Sequence, residues 1–232
     1  MFISSPTWQT MSLNERRDAL QQQVDRLATR DQQSQPASVY SFVPNSTRDP
    51  RGQYDDVTHS IKLNQDLLTQ DTPHAAMETL FHEYRHSYQH FVANERPDLA
   101  ESPQQLEDFQ KNTQAYIRSD TDYAMYYAQP IEVDARAYAR QQMELTYDEQ
   151  NDPHYTAHRQ EHDQTDAQYR SFATLTYGNN HEAQAREIVY DIYDLKQAQQ
   201  QATAQTTPEP TSSPTNNLSE EEEHQRSQGR RR

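Results

Sequence analysis

The sequence predicts an α+β fold with helices packed on a small mixed sheet, and three observations lead there. Apolar residues recur at helical spacing in several separate stretches. The segment from Val57 to Asn64 alternates with a period of two instead, as a half-buried strand does. At 232 residues, with 32% hydrophobic content and a mean hydropathy of -1.24, the chain suits one medium domain carrying polar appendages better than one large core.

Taken in order, the first helix opens at Ser12. Ser12 and Glu15 have capping-box spacing, and Leu13, Leu20, Val24 and Leu27 follow at helical intervals until Gln35-Pro36 stops the run. Ala37 to Val43 reads as a short strand through Val39 and Tyr40, and the breaker-rich Pro44 to Gly52 then turns the chain. Val57, His59, Ile61 and Leu63 alternate with Thr58, Ser60, Lys62 and Asn64 in the second strand. Thr72 as cap and Pro73 at the first helical position begin a helix that runs to about Ala93. Beyond Pro97 and Pro103, Gln104 to Tyr127 is mixed, mainly helical and rich in tyrosine. Gln129-Pro130 opens a helix to about Leu145. Asp148 to Asp163 is polar, and helices follow over about Asp166 to Tyr177 and His181 to Gln199, separated by Gly178-Asn179-Asn180. From Gln200 onward Gln, Thr, Pro and Ser dominate, ending in Glu220 to Glu223 and Arg230 to Arg232, a composition too polar to offset its ordering entropy. The expected organisation is a main domain over 1–147, a helical extension over 148–199 and a disordered polar tail over 200–232.

Charge and composition exclude several functions. A net charge of -15, with only three Lys, opposes a general nucleic-acid surface, which needs clustered Lys and Arg. No apolar run approaches the roughly 18 residues of a membrane helix, and the first residues lack the basic start and apolar centre of a secretory signal. The expectation is therefore a cytoplasmic protein without membrane partners. The absence of Cys removes disulfides and thiolate metal ligands, so any zinc must use His and carboxylate.

His82-Glu83-Tyr84-Arg85-His86 lies in the middle of the helix opened by Pro73. Two imidazoles four residues apart can hold one Zn²⁺, while the Glu between them can activate a water. A shuffled chain of this composition contains such a run roughly 3% of the time, so the surroundings must carry the argument. The helix has an apolar stripe of Ala76, Leu80, Tyr84, Tyr88 and Phe91, with His82 and His86 on the other side, which also fits a plain solvated face. A third ligand decides between the two. His90 continues the series, but it stands about 12 Å along the axis from His82, too far for ligands that converge to about 2 Å from one ion. The longer H-E-x-x-H-x-x-G-x-x-H pattern fails, because Gln89 stands at its Gly and Val92 at its third His. Glu132 meets the need. It falls within the apolar stripe of Ile131, Ala135, Ala139 and Met143, where a carboxylate is costly unless paired or bound to metal, and Ala135 and Ala139 let another helix approach closely. A salt bridge to Arg85 or Arg136 is the alternative use of that carboxylate. Asp134 and Arg136 are candidates for orienting a ligand.

With His82, Glu83, His86, Glu132 and Ala135 in place, the segment resembles the gluzincin zinc metallopeptidases, in which H-E-x-x-H on one helix is completed by Glu on a later one. Gly52 to Leu68 also looks like the edge strand lining the cleft of compact zincins, including minimal ImmA/IrrE-like ones, so the resemblance spans about Tyr54 to Met143. It departs from thermolysin-like enzymes at Arg136, where they carry an acidic residue. The resemblance implies a zincin-like domain, a Zn²⁺ cofactor held by His82, His86 and Glu132, and hydrolysis of peptide bonds in protein or peptide substrates with Glu83 as base. Candidate donors to the oxyanion are Tyr123, Tyr126, Tyr127, His154, His158 and His162. The last three form an i, i+4, i+8 series in a polar segment that no apolar pattern positions, which reads first as a partly exposed stretch. Two alternatives from other classes are an inactive zincin-like binding or regulatory protein and a metallopeptidase toxin or effector.

Overall fold

The computed structural model describes residues 3–46 and 49–206, with side chains to residue 203. The fold is α+β: a three-stranded mixed sheet and nine helices among the described residues. Two compact units divide at Met1–Leu195 and Lys196–Arg232. In the second, the description covers only the end of the last helix, which runs past the expected stop near Gln199 to Thr206. The remainder of the expected tail lies outside the described residues.

Helix α1 (Ser5–Thr10) precedes the helix that sequence periodicity finds first. It is too short for a periodic signal, yet Trp8 is fully buried and donates its indole N–H to the Gln70 carbonyl at 2.9 Å. Helix α2 (Leu13–Arg30) has the expected capping box, with both reciprocal Ser12 and Glu15 bonds formed, and buries Leu20, Val24 and Leu27.

Strands β1 (Ser38–Phe42), β2 (Gly52–Asp55) and β3 (Ser60–Asn64) are ordered β1-β3-β2, with β1 parallel and β2 antiparallel to β3. This changes two expectations. Residues 57–59 form the β2–β3 turn rather than the start of a strand: Asp55 accepts the Val57 and Thr58 N–H groups at 3.1 and 3.0 Å, and His59 takes a left-handed φ of 48°. The alternating segment is also the central strand, paired on both sides, so the free edge belongs to β2. That strand was hidden in the sequence because GQYD is four residues long and sits directly after a breaker-rich stretch. The other edge is covered, since the Gln21 amide of α2 accepts the Val39 N–H at 2.6 Å and donates to the Ala37 carbonyl at 3.0 Å.

Helix α3 (Gln65–Thr69) leads to α4 (His74–Asn94), which starts with Pro73, not Thr72, as its cap residue and has no side-chain cap bond. Helix α5 (Pro103–Gln114) follows a single 3₁₀ turn, and α6 (Tyr123–Ala128) precedes α7 (Pro130–Thr146). Burial of Ala135 and Ala139 on α7 permits the close approach to α4 that their size suggests. Arg30 donates to Tyr138 at 2.6 Å and to Gln142 at 3.1 Å, while Tyr84 donates to Asp31 at 2.8 Å, so the end of α2 ties α4 and α7 together. Helix α8 (Pro153–Tyr177) begins well before the expected Asp166. Its first half buries only Tyr155, which is why no apolar period marks it. Tyr147 and Tyr155 join the main core, and α8 packs on α6 and α4 within the first unit. Helix α9 (His181–Thr206) completes the description.

Candidate metal centre

Nearly every face of α4 is covered. Besides the apolar stripe, Glu83, Arg85, His86 and Gln89 are buried, so the histidine side is not a solvated surface. On α7, Glu132 is 1% exposed and sits in the first turn behind Pro130, where the helix dipole favours an anion. Packing of the two helices brings His82, His86 and Glu132 together, with one donor atom from each lying within 4.8 Å of the others.

The distances fit a cation. His82 Nε2 and His86 Nε2 are 3.1 Å apart, and they lie 3.2 and 3.3 Å from Glu132 Oε2 and Oε1 respectively. Four ligands at about 2.0–2.1 Å around a tetrahedral ion are separated by about 3.3 Å along each edge. Glu132 Oε2 is buried with no hydrogen-bond partner, an arrangement that costs stability unless a cation faces it. The alternative salt bridge does not form. Arg85 pairs with Asp134 through bonds of 2.7 and 2.9 Å, and Arg136 stacks on Tyr127 and donates to its carbonyl.

Hydrogen bonds behind His86 fix its tautomer. Gln89, fully buried, donates its amide to Asp134 at 2.6 Å and to the Ile131 carbonyl at 2.9 Å, so its oxygen faces His86 Nδ1 at 2.8 Å and must accept. A proton therefore sits on Nδ1, and Nε2 is the nitrogen that faces Glu132, 3.3 Å from its Oε1. Arg85 in turn holds Asp134 bidentately. Asp134, suggested from the sequence as a residue that orients a ligand, reaches His86 only through Gln89, the residue that occupies the Gly position of the rejected longer motif. Arg136 takes no part.

The electrostatics also call for one positive charge. Burial disfavours ionised Glu132, but the adjacent imidazoles outweigh it and hold this carboxyl well below the usual range. Burial likewise disfavours a charged His86, yet Glu132 outweighs it and draws the imidazole up to about 9 when a proton is the available cation. Metal binding at this trio would accordingly release a proton. Glu83 is pushed the other way: desolvation raises its pKa above the ordinary 4.5. The neighbouring imidazoles and the backbone N–H of Tyr54 on β2 pull in the opposite direction, and Gly52 lies so close that a Cβ there would be 2.9 Å from Glu83 Cγ.

Sequence reasoning missed one partner. Tyr116, in the loop between α5 and α6, donates its hydroxyl to Glu132 Oε1 at 2.7 Å, and burial followed by the Glu132 charge drives its pKa far up. Its loop is held by Gln129, the residue before Pro130, whose amide accepts the Ile117 N–H at 3.0 Å and donates to the Ile117 carbonyl at 2.9 Å. Of the donors proposed from sequence, Tyr126 packs against Tyr116 and has its pKa raised by burial and by Glu132. Tyr127 donates instead to Asp166 at 2.6 Å, and His158 and His162 face Glu78. His90 lies beside Tyr54 and 4.0 Å from Asp56, outside the trio. No described helix is long and apolar enough to cross a membrane. Compared with protein-family models, curated proteins and solved structures, the chain matches none.

Proposed function

We propose that the chain is a zinc metallopeptidase that hydrolyses peptide bonds in protein substrates. The observation that carries this reading is Glu83: a carboxylate with a raised pKa, buried next to a His–His–Glu donor set. A purely structural metal site has no need of such a base. His82, His86 and Glu132 would hold the ion, and zinc supplies there a Lewis acid that polarises a carbonyl and makes a water acidic near neutral pH.

The chain's own residues account for the remaining steps. Glu83 takes the proton from the attacking water and returns it to the departing amine. Gln89 and Asp134 keep His86 in the tautomer that leaves Nε2 free, and Tyr116 orients Glu132 through Oε1, leaving Oε2 as the open ligand atom. Tyr126, packed against Tyr116, is the candidate hydroxyl for donating to negative charge that develops on the carbonyl oxygen.

Strand β2 supports an extended substrate. The Asn64 N–H donates to the Arg51 carbonyl at 2.8 Å, which sets the phase of the antiparallel ladder. Gln53 and Asp55 therefore bond inward to β3, while Gly52 and Tyr54 turn their backbone groups to the outer edge, on the side of Glu83. A peptide added along this edge runs past the base by main-chain pairing.

The test is proteome-wide cleavage mapping with zinc-loaded wild type and Glu83→Gln. Discrete cleavages that vanish in the variant, with zinc content unchanged, are expected. Zinc bound equally in both, with no Glu83-dependent cleavage, would return the chain to the class of metal-dependent binding proteins.

A further inference from the structure

His59, in the turn between β2 and β3, has a backbone that would suit glycine better. Its φ of 48° lies in the left-handed region, where a Cβ is a cost that Asn, Asp and His tolerate more readily than other residues but only Gly avoids. Such an outlier persists where the surrounding structure holds it. Here both ring nitrogens are engaged. Nε2 lies 2.9 Å from the Gln35 carbonyl, which can only accept, so the ring proton belongs on Nε2. Nδ1 then carries the lone pair and accepts the Tyr54 hydroxyl at 2.9 Å. The His59 carbonyl also accepts the Ser38 N–H at 3.1 Å. One residue thus joins the start of β1, through Gln35 and Ser38, to the side chain of Tyr54 on β2.

Tyr54 is where this bracing reaches the candidate site. Its backbone groups face the outer edge of β2, because the neighbours Gln53 and Asp55 bond inward to β3. Its ring meets two imidazoles: it is edge-on to His59 with centroids 6.0 Å apart, and tilted against His90 of α4 at 5.4 Å. His90, excluded as a metal ligand by distance, therefore supports the strand one helical turn beyond His86. Two residues earlier, Gly52 packs so closely on Glu83 and Thr79 that a Cβ does not fit. The outer edge of β2 is fixed at two points, on Glu83 through Gly52 and on His59 through Tyr54.

We propose that His59 is a positioning residue for substrate: its imidazole anchors Tyr54 and so holds the outer edge of β2 in register with Glu83 for main-chain pairing with an extended peptide. This role rests on the peptidase reading and adds to it a residue that touches neither the metal ligands nor the base. The backbone groups of Tyr54 stand two residues along the strand from the contact with Glu83. Pairing there is made equally in the ground state and the transition state, so the anchor acts on KM and not on kcat. Without the hydroxyl–imidazole bond the peptide must order that part of the edge itself, which for one backbone residue costs about tenfold in apparent affinity. A merely architectural role would lower stability and leave the KM of the folded protein unchanged.

The experiment compares wild type, His59→Asn, His59→Gly and Tyr54→Phe in the full chain, by steady-state kinetics on a peptide spanning a mapped cleavage site and by amide hydrogen exchange along β2. Asn tolerates the left-handed backbone and Gly relieves it, but neither supplies an imidazole to bridge Gln35 and Tyr54. Both are expected to raise KM about tenfold with kcat within about twofold, and to speed exchange at the inward-bonded Gln53 and Asp55 amides while α4 is unaffected. Tyr54→Phe keeps the ring and loses the hydroxyl. It should raise KM in the same way, and adding it to His59→Asn should cost nothing further. Wild-type KM in both His59 variants, or effects of His59→Asn and Tyr54→Phe that simply add, would overturn the proposal. If wild type shows no Glu83-dependent cleavage, the peptidase reading fails and exchange decides alone: faster exchange at Gln53 and Asp55 in the His59 variants upholds the anchor, and unchanged exchange overturns it.

Discussion

Replacing Gly52 with Ala tests how tightly the edge strand is fitted to the base. A Cβ built there would lie 2.6 Å from Thr79 Cγ2, 2.9 Å from Glu83 Cγ and 3.0 Å from Glu83 Oε1. The first two distances are shorter than real carbon contacts allow, so β2 or α4 must shift. Overpacking of this kind costs about 1–3 kcal/mol, which in a chain of this size lowers Tm by roughly 2–12 °C. Thr79→Ser removes the worst contact while retaining the hydroxyl that donates to the Ala75 carbonyl at 2.8 Å. Alone it costs about 1 kcal/mol for the lost buried methyl. Combined with Gly52→Ala it should be favourable, with a coupling of about 1 kcal/mol by thermal unfolding of the four proteins. Cleavage behaves differently, because the Glu83 contacts persist in the double variant. Both Gly52→Ala proteins should lose about 10²-fold in kcat/KM, the scale of a 1 Å misplacement of a reacting group. Additive stabilities, or activity restored along with stability, would refute the reasoning.

Other expectations concern the centre itself and its surroundings. Glu83→Gln should keep the metal and lower peptide cleavage by about 10²–10⁴-fold, measured on a substrate found by cleavage mapping. Tyr116→Phe and Gln89→Leu each remove a hydrogen bond to a proposed ligand and should weaken zinc affinity or activity by about 10–100-fold in competition titrations. Burial lowers the pKa of His74 below the ordinary 6.5, so the unfolded chain takes up this proton before the folded one does. Its contribution to stability is complete above pH 6.5 and declines as pH falls below it. Urea unfolding of metal-free protein between pH 7.5 and 5 should show this slope, and His74→Phe should flatten it; an unchanged slope in the variant would assign the dependence elsewhere.

Local pattern revealed the helices that bury an apolar stripe and the residues whose cost depends on burial. Glu132 was legible because a carboxylate flanked by Ala135 and Ala139 in such a stripe demands a partner. The capping box of α2 needs only Ser12 and Glu15. What stayed hidden depends on contacts across the chain. Strand β3 looked like an edge because alternation does not report how many neighbours a strand has, and β2 was too short to signal. Tyr116 sits in a loop positioned by Gln129, a pairing that no periodicity encodes. Gln89 looked like a defect in a longer motif until the fold placed Asp134 beside it. His158 and His162 read as solvent-facing because their partner, Glu78, lies 80 residues away in the sequence from His158.

The central claim is that His82, His86 and Glu132 hold one metal ion. It is tested most directly by zinc titration of metal-stripped Glu132→Ala beside wild type, with both proteins shown to be folded. The variant is expected to bind one equivalent fewer than wild type. An unchanged stoichiometry and affinity would contradict it.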